Sequence, residues 1–136
     1  MSVHATRRHM AWYLVLGAVL SASATGCNGV VGGGDCIAIG VAGINATIVD
    51  ALTNGTPKSK ASLRISEGTY SETYNAPIAG TNPPLYAGAY ERSGTYRLTA
   101  NATGYAEYVL DDVTVTRAGR CSSIQSAQVT IRLTPN

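Results

Sequence analysis

The chain has 136 residues, 45% of them hydrophobic and 13% charged, with a net charge of +2. That length suits one domain of ordinary size. A charge so small and so scattered excludes the clustered basic face that nucleic acid requires.

Arg7 and Arg8 precede an apolar stretch, residues 11–20, rich in Leu and Val. A basic start, an apolar run of about 7–15 residues and small residues behind it make an export leader. The run is shorter than the roughly 20 residues that span a bilayer. Two cleavage sites compete. Ala22-Ser23-Ala24 fits an ordinary small-residue site, which would give a secreted protein. Ala24-Thr25-Gly26-Cys27 resembles the lipobox of bacterial lipoproteins, although that family prefers Leu or Val where Ala24 stands. The resemblance implies that Cys27 is lipidated and that the membrane is a partner through this anchor. The expected location is then the bacterial cell envelope, at the outer membrane or periplasmic face. Residues 1–26 read as a signal peptide. Residues 27–35, with glycine at positions 29, 32, 33 and 34, read as a flexible tether. Residues 36–136 remain for the domain.

Loss of the leader removes His4, His9, Trp12, both Met residues and two of the basic residues. The remaining eight basic side chains meet eight acidic ones, so the exported part is neutral. Three cysteines leave one odd. Lipidation of Cys27 resolves this and leaves Cys36 and Cys121 to pair in an oxidising compartment. Two unrelated buried thiols are the alternative. No C-x-x-C spacing and no His beyond the leader means that zinc lacks a ligand set. Neither a metal nor another cofactor is expected.

The domain reads as strands and turns, with period-2 alternation and no sustained helical period. Strands are expected over 37–41, 44–49 and 61–65, with a turn at Asn54-Gly55 between the second and third. Glu67-Gly68 breaks the third, and residues 69–74 resume. Residues 75–84 hold three prolines and Gly80, and read as the longest irregular piece. Strands return over 85–90, 96–100 and 105–110. Asp111-Asp112 interrupts, Val113 and Val115 form the next face, and residues 129–133 close the domain. The expected fold is all-β, an antiparallel sandwich of about seven strands, with a barrel as competitor.

Two stretches within it carry a further resemblance. Val49-Asp50 ends the strand over 44–49 and is followed by the turn Gly55-Thr56-Pro57. Later come Gly94-Thr95-Tyr96-Arg97-Leu98 and then Gly104-Tyr105. This pattern resembles the carboxypeptidase regulatory-like domain, a transthyretin-like sandwich, over residues 44–133. The chain departs from it in its longer, proline-rich 75–84 loop and in Tyr90-Glu91-Arg92-Ser93 before Gly94. The resemblance implies a non-catalytic accessory module with no active site.

The residues agree with that expectation. Without His, the usual nucleophile–base pairs are missing. Asp111 and Asp112 are adjacent, and adjacent strand residues point to opposite faces, which makes a poor acid–base dyad. With Glu107 they could offer oxygens to Ca²⁺, but the alternating spacing of a calcium loop is lacking, and a solvated turn is the plainer reading. The expected function is therefore a non-catalytic cell-envelope lipoprotein, a structural or interaction module with an envelope protein or glycan as partner. The alternative is a carbohydrate- or peptide-binding module that uses the Tyr/Pro-rich 75–90 region. Tyr74, Tyr86 and Tyr90 flank its loop as the exposed aromatic set, while Tyr96 and Tyr105 read as core.

Overall fold

The computed structural model describes Cys36 and residues 39–136. The leader, the tether and Cys27 lie outside the described residues. Eight strands form two sheets: β1 (Ile44–Asp50), β2 (Ala61–Glu67), β3 (Tyr70–Tyr74), β4 (Leu85–Gly88), β5 (Gly94–Ala102), β6 (Tyr108–Ala118), β7 (Ser123–Gln125) and β8 (Ala127–Leu133). One sheet has the order β4-β1-β8 and the other β3-β2-β5-β6-β7. Among the described residues there is no helix.

Alternation in the sequence becomes burial in the fold. Ile44, Ala46 and Ile48 of β1, Leu63 and Ile65 of β2, Tyr96, Leu98 and Ala100 of β5, and Ile131 and Leu133 of β8 all face the space between the sheets and are buried. Polar neighbours such as Arg64, Arg97 and Arg132 face out. Removing this apolar surface from water is the main force holding the layers together.

Four expectations change. The chain is not purely antiparallel, because β1 pairs with β8 in parallel along its whole length, from Ile44↔Ala127 to Asp50↔Leu133. These two strands lie far apart in sequence, so the connection that parallel pairing requires is the rest of the domain. Residues 39–42 are not in a strand, and Ile39 is 65% exposed. Asp111-Asp112 does not end a strand: β6 runs through, with a register shift opposite Tyr96 and Leu98. Asp112 takes the left-handed conformation there, at φ 62°, and absorbs the extra residue as a bulge. Finally, β7 is an additional short strand that pairs with the end of β6.

The two sheets are closed along one flank by a charge that points inward. Glu72 of edge strand β3 accepts a hydrogen bond from the Ala89 amide, 2.5 Å away, just beyond edge strand β4. An inward carboxylate on an edge strand also discourages edge-to-edge pairing. Gly88 makes the approach feasible. A Cβ there would lie 2.5 Å from both a Glu72 oxygen and the Ile65 methyl, so any larger residue would force these side chains to shift.

Cys36 and Cys121 are joined by a disulfide, their Cα atoms 5.6 Å apart. It lies at the end of the sandwich that carries the starts of β1 and β8. There Val41 and Glu91 exchange two hydrogen bonds, Val41 N–H to the Glu91 carboxylate at 2.6 Å and Glu91 N–H to Val41 C=O at 2.9 Å.

Candidate functional site

The opposite end of the sandwich gathers the β1–β2, β3–β4 and β5–β6 connections. Asp50, the last residue of β1, is 2% exposed and organises them. One carboxylate oxygen accepts the Leu52 and Thr53 amides at 2.8 and 3.0 Å, which is the turn-forming habit of Asp. The other accepts the Tyr105 hydroxyl at 2.8 Å. Tyr105 in turn accepts the Lys58 amide at 2.9 Å. Asp50 and Tyr105 thus tie the β1–β2 loop to the β5–β6 turn.

The Tyr105 hydrogen bond, then those from the Thr53 and Leu52 amides, hold the Asp50 carboxyl below its usual value of 3.8, against the opposing effect of burial. A depressed folded value adds stability above the unfolded pKa, and that stability is lost as pH falls through the folded one. Tyr105→Phe is therefore expected to lower the melting temperature by several degrees near neutral pH. The gap to the wild type should narrow as pH drops below about 4. Melting curves at the two pH values check this, and a pH-independent gap would contradict it. Asp111, lowered by its ion pair with Arg97, leaves both proteins with a residual acid slope.

Beside this latch lies an open groove of about 350 Å³. Lys58, Ser59 and Lys60 line one side, Ala76 and Pro77 the other, and Tyr86 the base. The two rims are bound to each other and to the fold. Thr56 donates to the Asn82 side-chain carbonyl at 3.2 Å, Ser59 donates to the Thr103 carbonyl at 2.6 Å, and Tyr86 donates to the Ala61 carbonyl at 2.7 Å. The walls are consequently set before anything binds, which lowers the cost of binding.

The predicted tyrosines do not form one exposed set. Tyr86 is 2% exposed, because it stands on β4 opposite Ala46 with its ring between the sheets, and burial pushes its phenol pKa up. Tyr90 is 48% exposed. Tyr74 is half-buried on the closed flank, where burial, then Glu72, raises its pKa. Tyr70, whose pKa burial and Glu72 push up to about 12, extends this flank. Its ring meets Tyr96 edge-on at 6.1 Å and carries the Arg92 guanidinium 4.1 Å above its face. Tyr74 and Tyr90 therefore belong to a side of the sandwich, and Tyr86 to the base of the end groove.

Among the described residues, no group of three His, Cys, Asp or Glu could hold a metal, and every buried side-chain N or O has a partner. The groove residues Lys58, Lys60, Ala76 and Pro77 were not singled out from sequence. The available signal was that Lys58 and Lys60 are the only lysines of the chain and stand two apart after Pro57.

No family model matches the chain, and no curated protein matches it. Among solved structures, a Bacteroides uniformis protein described as a "putative carbohydrate binding protein" aligns with a TM-score of 0.43 at 15% identity. The alignment covers 68% of this chain and 40% of that one, so the chain spans about two fifths of its length.

Proposed function

We propose that this chain is a non-catalytic accessory module of the bacterial cell envelope, anchored by a lipid on Cys27 and recognising a partner through its far end. The observation that carries the reading is polarity. The disulfide clamps the start of the domain, at Cys36, to one end of the sandwich, and the groove lies at the other. A seven-residue strand separates the two ends, a distance of about 20 Å. A lipid on Cys27 would join the domain through the clamped end, which leaves the groove about one strand length from the point of attachment. The disulfide itself suits an oxidising compartment.

Assignment to the carboxypeptidase regulatory-like, transthyretin-like group draws support from how its motif residues meet. Asp50 closes the Val49-Asp50 strand end, and Tyr105 of Gly104-Tyr105 donates to it. In this reading the motif is a latch for the loops, and the loops carry the recognition.

The experiment is photocrosslinking in whole cells, combined with intact-mass analysis of the mature chain. A photoreactive residue at Ala76, on the groove rim, should give a defined adduct, whereas one at Thr114, on an exposed face of β6, should not. The mature chain should begin at an acylated Cys27. Equal labelling from both positions, or a mature chain starting at Thr25, would overturn the respective half of the proposal.

A further inference from the structure

We propose that the end groove takes an acidic peptide segment, with its carboxylates on Lys58 and Lys60 and an apolar side chain against Ala76 and Pro77. This rests on the reading of that end as the recognition surface and names its ligand chemistry.

Charge comes first. Lys58 and Lys60 are exposed, line one groove and form no ion pair among the described residues. Five carboxylates elsewhere in the domain are engaged, while Glu107 and Asp112 are exposed on or next to β6. Asp50 holds Tyr105, Glu67 the Thr95 amide, Glu72 the Ala89 amide, Glu91 the Val41 amide and Asp111 the Arg97 guanidinium. Among the described residues, no Asp or Glu lines the groove. Two cations without an ion pair among the described residues thus share one preformed rim that no described carboxylate lines. Complementary charge sets which partners dock and how fast.

The opposite rim separates peptide from sugar. Among the described residues the groove lining contains no Asp, Glu, Asn or Gln, so it lacks the planar acceptors that grip vicinal hydroxyls. Its one aromatic residue, Tyr86, is buried and cannot offer a ring face for stacking. It does offer Ala76 and Pro77, both exposed, with Ile78, 44% exposed, next in sequence. A cationic rim facing an apolar rim matches an extended peptide, whose side chains alternate between two sides.

The test is fluorescence anisotropy on the full chain with dye-labelled, capped peptides repeating Glu-Leu-Glu-Ser, and with the Gln-Leu-Gln-Ser isostere. Polygalacturonate, an acidic polysaccharide, serves as competitor. The acidic peptide should bind, and the isostere should bind about tenfold more weakly, as expected for two exposed charge pairs. The double variant Lys58→Gln/Lys60→Gln should show the same loss with an unchanged melting temperature. Stronger binding of polygalacturonate with the same lysine dependence would overturn the peptide assignment. Absent binding, or binding indifferent to both lysines, would overturn the acidic-ligand proposal. In that case an Ala76 crosslink leaves the broader module reading standing, and a silent Ala76 removes both.

Discussion

Replacing Cys36 and Cys121 together by alanine is expected to lower the stability of the domain by about 4–5 kcal/mol. The bridge joins residues 85 apart in sequence, so it closes nearly the whole domain into one loop. A cross-link of that span restricts the unfolded chain strongly, and the stabilisation grows with the logarithm of the loop length. Small domains are held by only about 5–15 kcal/mol in total, so the loss is a large fraction of what there is. For a domain of this size it corresponds to a fall in melting temperature of roughly 20 °C. The folded side of the balance changes less. Cys36 and Ile39 are exposed, and residues 39–42 join no strand. The segment is held instead by Val41 against Glu91, by the Ser126 hydroxyl on the Ala42 carbonyl at 2.6 Å, and by Gly43 N–H on the Ala89 carbonyl at 3.1 Å. Urea unfolding of the oxidised protein and of the double variant checks the expectation. A difference below about 1 kcal/mol would mean that the unfolded chain is already confined without the bridge.

How much of this was legible follows from what period-2 alternation encodes. It marks a strand with one dry and one wet face, and β1, β2, β5 and β8 are strands of that kind. Their burial patterns repeat the alternation residue for residue in β2, from buried Ala61 to buried Ile65. Ile37, Ile39 and Val41 alternate just as well, yet residues 39–42 make no strand, because alternation says nothing about whether a neighbour exists to supply the hydrogen bonds. Asp111-Asp112 looked like a break because two charges in a row interrupt the pattern. A bulge tolerates them by leaving both exposed and resuming the register at Val113. β7, three residues long, is too short to show any period. The parallel β1–β8 pair and the groove are both products of long-range assembly. Thr56 and Asn82 are 26 residues apart, and nothing local to either loop announces that they meet. The disulfide was readable for a different reason, since counting thiols needs no geometry.

The other large effect separates two tyrosines that sequence reasoning grouped together. Tyr86→Ala is expected to cost about 3–5 kcal/mol, in line with other large-to-small changes in packed cores. The ring fills space between the sheets opposite Ala46, where the small neighbours Ala87, Gly88 and Ala89 cannot expand to occupy the void. Tyr86→Phe keeps the ring but deprives the Ala61 carbonyl of its 2.7 Å donor, and should cost about 1 kcal/mol. Tyr90→Ala, on a half-exposed side chain, should stay within about 1 kcal/mol of the wild type. Chemical unfolding of the three variants gives the ranking, and equal effects of Tyr86→Ala and Tyr90→Ala would contradict the placement of Tyr86 in the core. The ranking also decides how any binding result is read. A Tyr86→Ala/Tyr90→Ala variant that loses a ligand would have lost its core as well, so its silence could not locate a site. Lys58 and Lys60 are exposed and carry no ion pair among the described residues, and substituting them changes the groove while leaving the packing beneath it intact. Recognition at this end of the sandwich is therefore to be tested at the lysines, with Tyr86 as the measure of what a structural loss looks like.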